Sequence, residues 1–318
     1  MFADGSATVI MNTILNGKIV AVSSATADNG KTVRVTGVYT GKVKTGTMTN
    51  GKAEFSLASK EKYKIELINT SGSDPVTEYT AYADLEAGGF REVNVGMDVA
   101  TWQGLKNIVN AHLANEMVTI GHTMNVQLSS GELYPMEVYA VNHDPAYPHQ
   151  IIIGGVNAME TGAGMNNSDT NAGGWNSCIR RGELNAGGFY TLLPDEVKAV
   201  ISARKFKTSA GSQQNTLQES SDLIWLPREK EIFGTRTYAA SAEDAEASQF
   251  AIFATAAKRI KTMGTNGAAT YWWLSSPSVS YSTYFCGVYA SGAAGYNNAS
   301  YANGLVPCFH IIADDIAA

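Results

Sequence analysis

From about Gly5 to Met97 the sequence runs in short apolar–polar alternations separated by turn residues, and a chain written with a period of two is built for strands, not helices. "KTVRVTGVYTG" and "KYKIELIN" have the pattern of half-buried strands. In "GTMTNGKAEFSL" Asn50-Gly51 stands between two such runs, which is the strongest short signal for a hairpin. Gly, Thr and Val recur and no helical period is visible. Residues 1–97 are therefore expected to form an all-β sandwich of about seven strands.

After Met97 the pattern changes. "DVATWQGLKNIVNAHLANE" places Trp102, Leu105, Ile108, Val109 and His112 on one helical face, with Asp98 or Thr101 as N-cap. The domain boundary is read near residue 98. Further helices are expected at "LPDEVKAVISARKF", with Pro194 in its first turn, and at "SAEDAEASQFAIFATAAKRI". Strands are expected at "YPMEVYAVNHD", "HQIIIGG" and "DLIWLPR". The Gly- and Asn-rich stretch from Gly154 to Trp175 is too long for a simple connector. Residues 98–318 thus read as an α+β domain.

A formal charge of −6 argues against nucleic acid or an anionic membrane surface as partner. The opening "MFADGSATVIMNTILNG" has no basic n-region and no apolar stretch of signal-peptide length. Nor does any run of about eighteen apolar residues offer to span a bilayer. Work outside a cell is then expected on a virion released by lysis, or at a cell surface reached by another route. Cys178, Cys286 and Cys308 are too few and too scattered for a disulfide framework, and are read chiefly as buried thiols.

The chain offers little enzyme chemistry. "GGVNAMETGAG" lacks the G-K-[ST] ending of a phosphate loop and the strand-then-helix setting of a dinucleotide fingerprint. His143, Asp144 and His149 in "NHDPAYPH" bring no accompanying ligand cluster, so no metal is expected there. "MNNSDTNAGG" carries oxygen ligands without a calcium-loop pattern. Neither G-x-S-x-G nor H-E-x-x-H appears. Arg228, Glu229, Lys230 and Glu231 in "PREKEIFG" read as a solvated strand end or an ion-paired structural cluster. The expectation is a protein without catalytic residues, metal or cofactor.

Between Ser278 and Gly304 there is no charged residue, and Tyr, Ser, Ala, Asn and Gly dominate. These are paratope residues. Tyr gives rigid, amphipathic contact area at low entropic cost, and small polar residues adapt around it. The apolar segments "YWWLSSP" and "LVPCFHI" frame the stretch, which argues against a flexible tail. Every residue in it can also be reached from an Asn codon by replacing the two adenines, a set that excludes Lys, Glu, Gln, Met and Trp. That is the signature of adenine-directed mutagenesis.

The frame "WWLSSPS…FCGV…SG…A…A…NGLVPCFHI" resembles the variable region of diversity-generating retroelement target proteins. "GGWNSCIRRGELN", "LLPDEVKAVI", "DLIWLPREKEIFG" and "WWLSSPS" are similar to a phage- and gut-bacterium-associated domain family. The resemblance implies a C-type lectin-like fold, related to formylglycine-generating enzymes, that displays variable side chains on a rigid sheet. It further implies a hypervariable receptor-binding protein at a phage tail tip, or an adhesin on a cell surface. The partner would be a host cell-surface protein or glycan. Residues 1–97, which resemble immunoglobulin-like modules of surface proteins, would attach to the virion or surface structure, and a homo-oligomer is compatible with this. "GLVP" departs from the family in lacking a basic residue before the Pro. The variable positions, within about 278–304, would be Ser280, Tyr281, Thr283, Tyr284, Gly287, Tyr289, Ala290, Ala293, Gly295, Tyr296, Asn297, Asn298, Ser300, Tyr301 and Asn303. Trp272, Trp273, Phe285, Val288, Val306 and Phe309 would be scaffold. The competing readings are an invariant carbohydrate-binding adhesin on the same fold, and a formylglycine-generating-type enzyme, for which only Cys286 and Cys308 could serve as paired thiols.

Overall fold

The computed structural model describes residues 16–23, 28–96 and 98–316, so the sequence before Asn16 and Met97 itself lie outside the described residues. The chain forms two compact units, 1–107 and 108–318. The division falls later than the residue 98 read from sequence, inside the helix Trp102–Asn110. A buried hydrogen bond accounts for part of the shift: Asn107 Nδ2 donates to the Gly96 carbonyl at 3.0 Å. Thr101 is the N-cap, its Oγ1 accepting from Gly104 N at 3.0 Å. His112, expected on the helical face, lies beyond the last turn with φ 60°.

The first unit holds β1 (Asn16–Val22), β2 (Thr32–Gly37), β3 (Val43–Thr47), β4 (Lys52–Ala58), β5 (Glu61–Asn69), β6 (Val76–Leu85) and β7 (Phe90–Asn94). One sheet has the order β4-β1-β7, with β7 parallel to β1, and the other the order β3-β2-β5-β6. Alternate residues of both sheets meet in one core, among them Ile19, Ala21, Val33, Val35, Phe55, Leu57, Ile65 and Leu67. The Asn50-Gly51 turn forms as expected, with φ of 50° and 72°, and Thr49 and Lys52 exchange backbone bonds of 2.8 and 3.0 Å. Its flanking strands nevertheless part, β3 joining β2 and β4 joining β1. Met48 is buried before the turn, and Ala53, Phe55 and Leu57 face the core after it. The turn is a corner between sheets and not the tip of a ladder.

The second unit is β-rich, with short helices. It contains β8 (Thr123–Gln127), β9 (Leu133–Val141), β10 (Gln150–Gly155), β11 (Arg204–Ser209), β12 (Leu217–Asp222), β13 (Lys261–Thr262), β14 (Ala269–Thr270), β15 (Trp272–Pro277), β16 (Tyr284–Val288), β17 (Ala294–Asn298) and β18 (Cys308–Ile312). One sheet has the order β18-β10-β9-β8 and another β15-β16-β17; β11 pairs with β12, and β13 with β14. Every residue of β10 and β18 is buried, which is why neither "QIIIGG" nor "CFHII" shows the apolar–polar alternation of a half-buried strand.

The long helices expected in this unit do not form. Only Asp195–Lys198 is helical in "LPDEVKAVISARKF", and Pro194 precedes it in an extended conformation. Arg204 and Phe206 have been taken into β11, opposite Asp222 and Ser220. "SAEDAEASQFAIFATAAKRI" breaks into two 3₁₀ turns, Ser241–Ala245 and Ala251–Ala254, and the single helical turn Ala256–Arg259. Between the first two, Phe250 N donates to the Glu231 carbonyl at 2.8 Å instead of to its own turn. "DLIWLPR" is not a strand; Trp225 alone bridges Cys308, through backbone bonds of 3.0 and 2.8 Å. Tertiary hydrogen bonding outweighs helix propensity in the two segments expected to be helical.

Candidate ligand-binding surface

The frame of the uncharged stretch is fully buried: Trp272, Trp273, Phe285, Val288, Val306 and Phe309 are 0% exposed. β16 is paired on both edges, Trp273 lying opposite Gly287 on one side and Tyr296 opposite Cys286 on the other. Trp272 Nε1 donates to the Arg259 carbonyl and Trp273 Nε1 to the Ala163 carbonyl, each at 2.9 Å, so both indole dipoles are satisfied.

On this frame Ser280, Tyr281, Tyr289, Ala290, Ala293 and Tyr301 are exposed, while Thr283, Tyr284, Tyr296, Asn297, Asn298, Ser300 and Asn303 are half-buried. Tyr281, Tyr289 and Tyr301 are 47%, 45% and 52% exposed, unusual for a residue of this size. Gly287 and Gly295, also among the expected variable positions, are buried. A Cβ on Gly287 would lie 2.2 Å from Tyr271 Oη, and one on Gly295 2.5 Å from the Tyr289 ring. They are glycines because tyrosine rings lie on them.

The rings form two groups. Tyr284 and Tyr296, diagonal neighbours on β16 and β17, stack at 5.2 Å and 15°, and Tyr281 lies 4.9 and 5.4 Å from them. Tyr238, from outside the stretch, meets Tyr296 edge-on at 4.7 Å. The neighbouring Tyr281 hydroxyl pushes the Tyr296 phenol above its ordinary pKa. In the second group Tyr271 is perpendicular to both Trp273 and Tyr289, at 5.4 and 5.5 Å. Burial drives the Tyr271 phenol far above its ordinary pKa, so it stays protonated.

The Gly/Asn-rich stretch clamps these loops from below. Buried Asn171 directs its Nδ2 at the carbonyls of Ser278, Tyr281 and Tyr284, at 3.2, 2.9 and 2.7 Å, and its Oδ1 accepts from Ser212 N at 2.7 Å. Asp169 Oδ1 accepts from Ser300 N at 3.2 Å and Ser300 Oγ at 2.5 Å. Ala163 and Asn303 exchange backbone bonds, and Asn166 N donates to the Ala299 carbonyl at 3.0 Å. The side-chain oxygens of "MNNSDTNAGG" thus accept from backbone N–H groups: Asp169 from Ser300, Asn171 from Ser212, Asn166 from Ile179 and Thr170 from Ala172.

The charged cluster beneath is structural, one of the two readings drawn from its sequence. Glu231 accepts from Arg228 Nη2 and Arg204 Nη2 at 2.9 Å each; burial opposes its charge, but the two guanidiniums hold it down to about 2. Glu229 accepts from the backbone N–H groups of Thr237, Tyr238 and Ala239 at 3.0, 2.9 and 2.8 Å, and burial still raises its pKa. Glu243 accepts from Ser276 Oγ at 2.6 Å and Ser209 N at 2.8 Å, and burial lifts it to about 7. Asp144 pairs with Arg204, His143 meets Ser248 Oγ at 3.2 Å, and His149 stacks on His112 at 3.6 Å. The three cysteines are free and buried.

Asn171, Asp169, Tyr238 and Tyr271 were not singled out in the sequence. Each acts through a partner distant along the chain, and no local pattern marks such a pair.

The model of a family described as a domain of unknown function, DUF6273, matches residues 150–313, from the first residue of β10 to just past β18. No curated protein matches the chain. Among solved structures, the pilus adhesin (RrgA) from Streptococcus pneumoniae is similar at 10% identity and a TM-score of 0.17, over 65% of this chain. The chain spans about a third of that adhesin's length, 33%.

Proposed function

The chain belongs to the DUF6273 family, and from that membership, which brings no activity with it, we propose a binding role: the chain holds a molecule on another cell's surface through its tyrosine-rich face. Residues 278–304 are the varied segment of a diversity-generating retroelement target, carried by a C-type lectin-like domain of the formylglycine-generating-enzyme type. The first unit is an immunoglobulin-like attachment module, and the protein sits at a phage tail tip or is displayed as an adhesin. It is not an enzyme. The observation that carries this reading is the contrast within one segment: a fully buried frame supports Tyr281, Tyr289 and Tyr301, each about half exposed at 47%, 45% and 52%. Large aromatics held rigidly at a surface cost little further entropy on binding.

Deep sequencing of the gene in a population that carries it tests the reading. Substitutions should concentrate in 278–304 at adenine-templated positions, beside a reverse-transcriptase gene and a near-copy of the segment. An invariant segment with no such neighbour would sink the retroelement reading. Intact host cells that bind the wild-type chain and its Tyr281→Ala, Tyr301→Ala double variant equally would sink the binding face.

A further inference from the structure

The tyrosine group around Tyr296 contains one ring that the varied segment does not supply. Tyr238 precedes that segment by forty positions (278 − 238), yet its ring abuts Tyr296 at 4.7 Å and 81°. Its backbone is held on both sides: Tyr238 N donates to the Glu229 carboxylate at 2.9 Å, and its carbonyl accepts from Val279 N at 2.9 Å. Thr237 N and Ala239 N bind the same carboxylate, and Ala239 bridges Ser278. The side chain is half-buried. A backbone fixed this firmly keeps residue 238 beside position 296 whatever residues occupy positions 281, 284 and 296.

The packing also bears on what the group can receive. The inner rings Tyr284 and Tyr296 stack on each other, and Tyr281 and Tyr238 close on them at 4.9 and 4.7 Å. The stack uses the facing sides of Tyr284 and Tyr296, which a sugar would need open for stacking, while Tyr238 meets Tyr296 edge-on and the Tyr281 and Tyr296 hydroxyls bond to each other. Phenol hydroxyls pair well with peptide N–H and C=O groups, and none of the four side chains carries a charge to offer an ionic partner.

We infer that Tyr238 is a fixed contact residue of the binding face, and that the four-ring group receives an uncharged segment of polypeptide. This rests on the binding role proposed above. The test selects macrocyclic peptides from a random library on the full chain, then measures the winners against variants. Tyr281→Ala and Tyr238→Ala should each weaken the winners about tenfold or more, as hot-spot residues do, while Tyr238→Phe stays within about threefold and melting temperatures hold. Loss with Tyr281→Ala but not Tyr238→Ala overturns the role of Tyr238 and leaves the binding face standing. Loss with neither overturns the binding face itself. Tyr238→Leu, which keeps apolar packing on Tyr296, replaces the Ala variant if that one does not fold. Tyr238-dependent binding of members of a glycan array, undisturbed by the selected peptides, overturns the polypeptide assignment.

Discussion

Gly287 and Gly295 lie directly opposite each other across β16 and β17, the Tyr271 hydroxyl end resting over the first and the Tyr289 ring over the second. The two rings meet perpendicularly at 5.5 Å, so the glycine pair is the floor of the second tyrosine group. Gly287→Ser should therefore expel the Tyr271 ring and cost about 1–3 kcal/mol, the usual range for overpacking. Ser280→Ala, at an exposed position of the same segment, should cost less than about 0.5 kcal/mol. Urea melts of the two variants check the contrast.

Asn171 is the residue on which the 278–284 loop depends. Asn171→Ala removes the donor shared by three carbonyls and leaves Ser212 N without its acceptor, for a loss of about 2–3 kcal/mol. Hydrogen exchange should quicken across residues 278–284 while β9 and β10 keep their protection. Uniform exchange across both regions would contradict the assignment.

Frame and face should separate in melting experiments. Trp273→Ala empties a fully buried site and should cost about 3–5 kcal/mol. Tyr281→Ala, at a position 47% exposed, should cost no more than about 1 kcal/mol. If Tyr281→Ala unfolds the chain, the ring is core and not surface.

Glu243 makes the second unit sensitive to pH near neutrality. Its folded pKa, raised by burial from 4.5 to about 7, exceeds its unfolded one. Its contribution is accordingly fully present below pH 4.5 and is lost as pH rises through about 7. Glu243→Gln keeps a neutral side chain at every pH. The melting temperature of the variant relative to wild type should thus climb from pH 5 to pH 8. A difference that stays flat over that interval would show that Glu243 does not titrate there.

The strands of the first unit were legible because alternation is a local property, and Ile19–Ala21 or Val33–Val35 carry it within a few residues. Thr101 was legible as a cap for the same reason. The segment 193–206 was not, because helix-forming residues there yield to a β11–β12 pairing encoded further along the chain. At the candidate face, residue type pointed to the exposed tyrosines. Type alone could not separate Gly287 and Gly295, which make room, from a glycine that presents nothing but backbone. Tyr238 and Asn171 were out of reach of any local reading, since hydrogen bonds and ring contacts across 41 to 113 positions bring them to the loop.

The pairing of β10 with β18 has a genetic consequence. Ile151, Ile152 and Ile153 are covered by Ile311, His310 and Phe309, which are translated downstream of residues 278–304. A copying error that shifts the reading frame inside that segment deletes β18 and leaves the isoleucine edge bare. Such a chain cannot close its sheet. Substitutions leave β18 intact. A changed codon within 278–304 is therefore compatible with this sheet, and a lost base is not.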